Sequence, residues 1–225
     1  MKINLTPKNS IALLFLSFIM QETHELAHTG VGRMICGCWG KRNFNFWGLC
    51  KGCEDPLAIL ATYAGPAYSF AIIWLGYYFL TKRTAKQKSI GFALVISTMP
   101  ISRVITPLFG SGDEVFALNT HFNNHTVSWI LGLIIVCLAI IPPTIKAYLV
   151  IDNTRKILWF AAMLLIPFIM TGIVVFGLLQ GLVLSNDILS NYWILGSPMI
   201  VTLWLCVCLL VLLLTGSSLK TILKD

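Results

Sequence analysis

The chain of 225 residues is 57% hydrophobic and only 11% charged, and its mean hydropathy is +0.82. Soluble domains carry about 25% charged residues, so the composition excludes a soluble globular protein, a disordered chain, a collagen and a secreted disulfide scaffold. The net charge of +7 comes from short basic clusters between apolar runs, which indicates membrane topology and lipid contact rather than nucleic-acid binding.

The apolar runs predict an all-α polytopic bundle of about six transmembrane spans, which fills a single membrane domain, residues 1–225. Each run is close to the roughly 20 residues that a helix needs to cross a bilayer. The runs cover residues 11–35, 56–80, 90–109, 127–150, 157–184 and 192–214. The loop after the first run alternates polar and aromatic residues at 41–47, which predicts a short strand or hairpin.

The first run contains the motif HExxH, residues 24–28. Residues four apart on a helix lie on one face, so His24 and His28 are placed to bind one metal ion. Glu25 is offset from them and is positioned to take a proton from an attacking water. Zn²⁺ suits two neutral nitrogen ligands with one coordination position left for water. Ionisable groups inside a membrane helix are costly, which favours a functional site over a polar patch.

A catalytic zinc needs a third protein ligand, and Asp113 is the first candidate. It follows the third run, and that run ends on the same side of the membrane as the first, near His28. The alternative is that Asp113 caps the next helical segment. Glu114, His121 and His125 are alternative metal ligands, although the two histidines lie in a polar interfacial segment.

Two further groups of residues have more than one interpretation. Arg103 interrupts the third run and needs a partner, for which Glu22 and a lipid head group are both candidates. Four cysteines share the loop after the first run and are predicted to form a structural zinc site or disulfides, or to remain unlinked thiols. They are Cys36, Cys38, Cys50 and Cys53.

With these motifs, the chain resembles the site-two protease family of intramembrane zinc metalloproteases. The HExxH helix, an Ala-Gly-Pro at residues 64–66 in the next helix, and Asp113 after the third match that family in order. The resemblance covers residues 11–118 as a metalloprotease-like core, and residues 126–225 add transmembrane helices. Residues 81–89 leave no room for a PDZ-like domain, so the chain resembles a compact member.

The resemblance implies hydrolysis of peptide bonds in membrane-associated proteins, with zinc as cofactor and Glu25 as general base. The expected partners are a membrane-protein substrate and the lipid bilayer. Two other functions fit the same residues. One is a transporter or channel with a polar path in the first and third helices, and the other is an inactive protease-like protein that binds membrane helices.

The side of the membrane that the site faces has two conflicting indications. If the termini are inside, about eleven Lys and Arg lie in inner segments and four in outer loops, and the site lies outside. The resemblance implies a site that faces the cytosol.

Overall fold

The computed structural model describes residues 1–224 and is an all-α bundle, as predicted. Two short strands, β1 (Lys2–Ile3) and β2 (Leu223–Lys224), form an antiparallel pair. The α-helices are α1 (Pro7–Cys36), α2 (Ile59–Leu80), α3 (Ala85–Ser97), α4 (Pro100–Leu108), α5 (Asp113–Phe122), α6 (His125–Val150), α7 (Lys156–Met170) and α8 (Met199–Thr215). Helix α7 continues as a π-helix over Thr171–Val183. Short 3₁₀ turns cover Pro56–Ala58, Leu184–Asn186, Ile194–Gly196 and Gly216–Thr221.

Five helical segments are long and apolar enough to cross a membrane, which identifies the chain as a membrane protein. They are Pro56–Leu80, Ala85–Leu108, His125–Val150, Lys156–Asn186 and Met199–Thr221. The sixth predicted span, α1, is not among the five. At 30 residues it is about 45 Å long, enough to cross a bilayer, and it packs against α2, α3 and α8.

The third predicted span consists of two helices instead of one. Helix α3 ends at Ser97, and α4 begins at Pro100 after Met99, which has a positive φ of 50°. Proline has no N–H to continue the ladder and disfavours the helical conformation of the residue before it. The break therefore follows from Pro100.

One end of the bundle, here called the terminal end, brings together both ends of the described chain. Besides the β1–β2 pair, the Asp152 N–H donates to the Met1 carbonyl, and the Ser89 hydroxyl donates to the Leu223 carbonyl. The start of α3 and the α6–α7 connection therefore lie at this end.

The opposite end, here called the loop end, is covered by residues 37–55. The Arg42 N–H donates to the Gly196 carbonyl, which joins this loop to the segment before α8. That segment has no regular helix before Met199, so the last helix begins later than the predicted residue 192. The predicted hairpin is a tight turn with a single antiparallel bridge between Arg42 and Trp47.

The four loop cysteines form two disulfides, Cys36–Cys53 and Cys38–Cys50. Of the interpretations drawn from the sequence, the structure therefore contains the disulfides and not a structural zinc site. Both bonds close the loop on itself and on the end of α1, so residues 37–55 are covalently tied to the helix that carries the HExxH motif.

Candidate metal centre

Helix α1 places the two histidines of the motif together in the interior of the bundle. His24 is 2% exposed and His28 is fully buried, and their ring centroids lie 4.7 Å apart. Their Nε2 atoms are 3.2 Å apart. The spacing of four residues thus directs both imidazoles toward a single point, as the sequence predicts.

Asp113, the first residue of α5, points its carboxylate at the same place. Its Oδ2 lies 3.2 Å from His24 Nε2 and 3.3 Å from His28 Nε2. The alternative that Asp113 caps its helix is not what the structure has, because Gly112 is the N-cap and α5 has no side-chain cap hydrogen bond. Burial raises the pKa of Asp113, but the two neighbouring imidazoles outweigh it and hold this pKa well below its usual value. The carboxylate is therefore ionised.

The three atoms form a nearly equilateral triangle that fits a metal ion. An ion with tetrahedral geometry and ligands at about 2.0–2.1 Å keeps those ligand atoms about 3.3–3.4 Å apart. The separations among His24 Nε2, His28 Nε2 and Asp113 Oδ2 are 3.2, 3.2 and 3.3 Å. This donor set, two imidazoles and one carboxylate, could hold a divalent cation with a coordination position left open.

The hydrogen bonds on the far side of each ring orient its Nε2 atom toward this point. His28 Nδ1 lies 2.6 Å from the Ala61 carbonyl oxygen, which only accepts, so Nδ1 carries the proton. In the neutral ring, His28 Nε2 then has a lone pair facing the metal position. His24 Nδ1 contacts the Ser69 hydroxyl at 3.0 Å.

Gly65, which precedes Pro66 in α2, lies directly against the imidazole ring of His28. A Cβ on Gly65 would overlap the imidazole ring of His28. Helix α2 therefore needs a residue without a side chain where it passes this histidine. This contact places the Ala-Gly-Pro segment directly beside the candidate metal centre.

Trp47, in the loop-end turn, contacts two of the three ligand residues. Its indole stacks on His28 with ring centroids 4.5 Å apart and planes 6° from parallel. Its Nε1–H donates to Asp113 Oδ1 at 3.4 Å, the oxygen that is not directed at the histidines. From the sequence, Trp47 is predicted only to lie in a strand-like stretch, and nothing in the local pattern indicates this role.

A cleft of about 390 Å³ opens beside His24 and Asp113 and is lined mainly by polar side chains. Glu25 faces it, is 5% exposed, and has a buried Oε2 without a hydrogen-bond partner. Arg103 reaches in from α4, with Nη1 3.2 Å from His24 Nε2. The cleft thus combines a free carboxylate oxygen and a guanidinium next to the metal position.

The partner of Glu22 is Arg42, not Arg103. Arg42 Nη1 donates to Glu22 Oε2 at 3.0 Å, and both side chains are about 1% exposed. This ion pair fastens the loop-end turn to α1 one helical turn before Glu25.

The alternative ligands lie outside the triangle. Glu114 is buried and lines the cleft, and burial raises its pKa. His121 stacks on Tyr63, and His125 Nε2 contacts the Gly110 carbonyl at 3.1 Å. Among the described residues, the one group of three or more potential ligands is His24, His28 and Asp113.

Comparison with protein-family models, with curated proteins and with solved structures gives no match for this chain. The site is therefore interpreted from its own chemistry.

Proposed function

We propose that this chain is a multi-pass integral membrane zinc metalloendopeptidase of the site-two protease type. Its substrates are membrane-associated proteins, and it hydrolyses their peptide bonds. The observation that carries the proposal is the convergence of His24, His28 and Asp113 beside Glu25, whose buried carboxylate oxygen has no partner.

Zn²⁺ is the proposed metal because the donor set and its spacing suit a tetrahedral site. Two imidazoles and a carboxylate make up a common ligand set of hydrolytic zinc enzymes. When bound, the ion would polarise the scissile carbonyl and lower the pKa of the attacking water. Ser69 and the Ala61 carbonyl would hold the two imidazoles in orientation, as such partners do in other metal sites.

Glu25 is the proposed general base. Its free oxygen accepts a proton from the water whose oxygen bonds to the scissile carbonyl carbon. As the carbon–nitrogen bond breaks, Glu25 returns that proton to the leaving nitrogen, and the products are a carboxylate and an amine. The buried position of Glu25 keeps bulk water from competing for this oxygen.

Arg103 is the proposed stabiliser of the negative charge that develops on the carbonyl oxygen. Its guanidinium lies within 3.2 Å of His24 Nε2, at the edge of the metal position. The three ion pairs of the described residues leave Arg103 without a carboxylate partner. A preorganised cation in a cleft of low dielectric constant is effective at this task.

The test is metal content and proteolysis measured on the same detergent-purified samples of wild type, Glu25→Gln and His28→Ala. We expect about one zinc per chain in wild type and in Glu25→Gln, and none in His28→Ala. Cleavage of reconstituted membrane-protein substrates should occur with wild type alone.

Three outcomes would contradict the proposal or one of its parts. A folded wild-type chain without zinc would exclude a metalloprotease and leave the polar residues of α1 and α4 as a transport path. Zinc binding without proteolysis of any membrane segment tested would favour the inactive, helix-binding alternative. A Glu25→Gln variant as active as wild type would remove Glu25 from the chemistry.

A further inference from the structure

The metal centre and the two disulfides lie at the same end of the bundle. His28 is eight residues before Cys36 on α1, which corresponds to about 12 Å along the helix. Trp47, which stacks on His28, belongs to the loop that Cys38–Cys50 closes. The cleft beside His24 is lined by Asn45, Phe46 and Trp47 of this same loop. The cleft therefore lies at the loop end of the bundle, beside the loop that contains the disulfides.

Disulfides persist in oxidising compartments and are reduced in the cytosol. Both disulfides would be reduced if the loop end faced the cytosol. Their presence therefore indicates that the loop end faces the other side of the membrane.

The distribution of basic residues leads independently to the same orientation. Cytoplasmic segments of membrane proteins carry an excess of Lys and Arg. Eleven of the 16 Lys and Arg lie at or next to the terminal end, and four lie at the loop end. The eleven are Lys2, Lys8, Lys82, Arg83, Lys86, Lys88, Lys146, Arg155, Lys156, Lys220 and Lys224. The four are Arg33, Lys41, Arg42 and Lys51.

The imbalance is larger than the count indicates. Arg42 is buried in its ion pair with Glu22 and presents no charge at the surface. The connections at 109–112 and 187–198 carry no Lys or Arg at all. The terminal end is thus the basic end of a bundle whose loop end has nearly balanced charges.

We propose that the metal cleft opens on the exoplasmic side of the membrane and that its substrates are polypeptide segments presented at that surface. The statement about substrates rests on the proposed function, whereas the orientation rests on the disulfides and the charges alone. This orientation agrees with the distribution of Lys and Arg and not with the cytosolic site that the resemblance implies. Segments that enter the bilayer from the cytosol would not reach the cleft from its open side.

Two single-cysteine additions test the orientation in intact cells. Ser111 is exposed in the connection between α4 and α5, two residues before Asp113. Thr154 is its matched control, exposed in the connection between α6 and α7 at the terminal end. A membrane-impermeant maleimide should label Ser111→Cys in intact cells, and Thr154→Cys only after the cells are permeabilised. Any other pattern, including equal labelling of both variants, overturns the proposal.

The redox state of the native cysteines supplies a second readout. Cells are quenched in acid, denatured, and alkylated with a maleimide polymer that shifts the protein on a gel. We expect three additions, at Cys137, Cys206 and Cys208, and seven additions after reduction. Seven additions without reduction would overturn the proposal. The zinc content of the same variants separates the orientation from the proposed protease function. Exoplasmic labelling of a zinc-free protein would refute the protease and keep the orientation.

Discussion

The indole of Trp47 covers the imidazole of His28 face to face, at a centroid distance of 4.5 Å. The same side chain donates its N–H to Asp113 Oδ1. One residue of the disulfide-closed loop therefore orients two of the proposed ligands, which come from α1 and α5. The loop is therefore part of the candidate metal centre and not only a connection between helices.

Removing these two contacts separately should weaken metal binding in steps. Partners of metal ligands are typically worth 10–100-fold in affinity. Trp47→Phe keeps the stacking and loses the hydrogen bond, so we expect zinc affinity to fall about 10-fold, and about 100-fold for Trp47→Ala. Competition with a fluorescent zinc chelator in detergent measures both.

Phe46→Ala is the control for Trp47, because Phe46 lines the same cleft but is 58% exposed and neither stacks on a ligand residue nor donates a hydrogen bond to one. Its zinc affinity should match wild type. Unchanged affinity in Trp47→Ala would show that the stacking does not orient His28.

Asp113 and Glu114 are adjacent acidic residues that differ in their position relative to the two histidines. Asp113 Oδ2 completes the triangle with the two histidines, whereas Glu114 is outside it. An amide is a poor ligand for zinc, so Asp113→Asn should lose the metal while Glu114→Gln keeps about one zinc per chain. Elemental analysis of the purified variants measures this. The reverse result would make Glu114 the third ligand.

The Gly65 position predicts a steric effect on metal binding. Gly65→Ala places a Cβ inside the space of the His28 ring, so the ring must move away from the metal position. We expect zinc affinity to fall at least 10-fold, by analogy with the loss of an orienting partner. Gly30→Ala is the matched control on α1, because a Cβ there meets nothing within 4 Å. Equal zinc affinities in the two variants would contradict the assigned role of Gly65.

The helices and the central triangle are predictable from local sequence patterns. Apolar runs define most of the spans within a few residues, although they miss the break at Pro100 and the later start of α8 at Met199. A spacing of four residues places His24 beside His28. The position of Asp113 near the histidines is predictable because successive spans cross in opposite directions, so the first and third spans end at the same side. Each of these predictions uses helical periodicity or the alternating direction of successive spans. Neither requires knowledge of a specific contact between residues far apart in the chain.

The supporting contacts are not predictable in the same way, because they join residues far apart in the chain. Nothing near Trp47 indicates that it stacks on His28, and nothing near Arg42 indicates that it pairs with Glu22. From the sequence, Glu22 is a candidate partner of Arg103, since both interrupt apolar runs. In the structure Arg42 takes that place, because the loop turns inward, and Arg103 faces the cleft instead.

The buried pair of Glu22 and Arg42 yields a prediction about stability. Its charges are nearly inaccessible, at about 1% exposure each. Removing one partner of such a pair leaves a buried charge and costs about 3–5 kcal/mol, whereas replacing both with apolar residues is often neutral. Arg42→Met should therefore destabilise the protein strongly, and Glu22→Leu combined with Arg42→Met should recover most of the loss.

Thermal unfolding in detergent ranks the variants, and zinc affinity shows what the pair does for the site. If the only role of the pair is that each buried charge neutralises the other, the double variant should match wild type in both measurements. If the charges also fix the loop-end turn, the double variant should regain its unfolding temperature but bind zinc more weakly, because Trp47 loses its position over His28. We expect the second result, since Arg42 and Trp47 are bridged to each other across the turn. A single Arg42→Met variant as stable as wild type would contradict the buried pair itself.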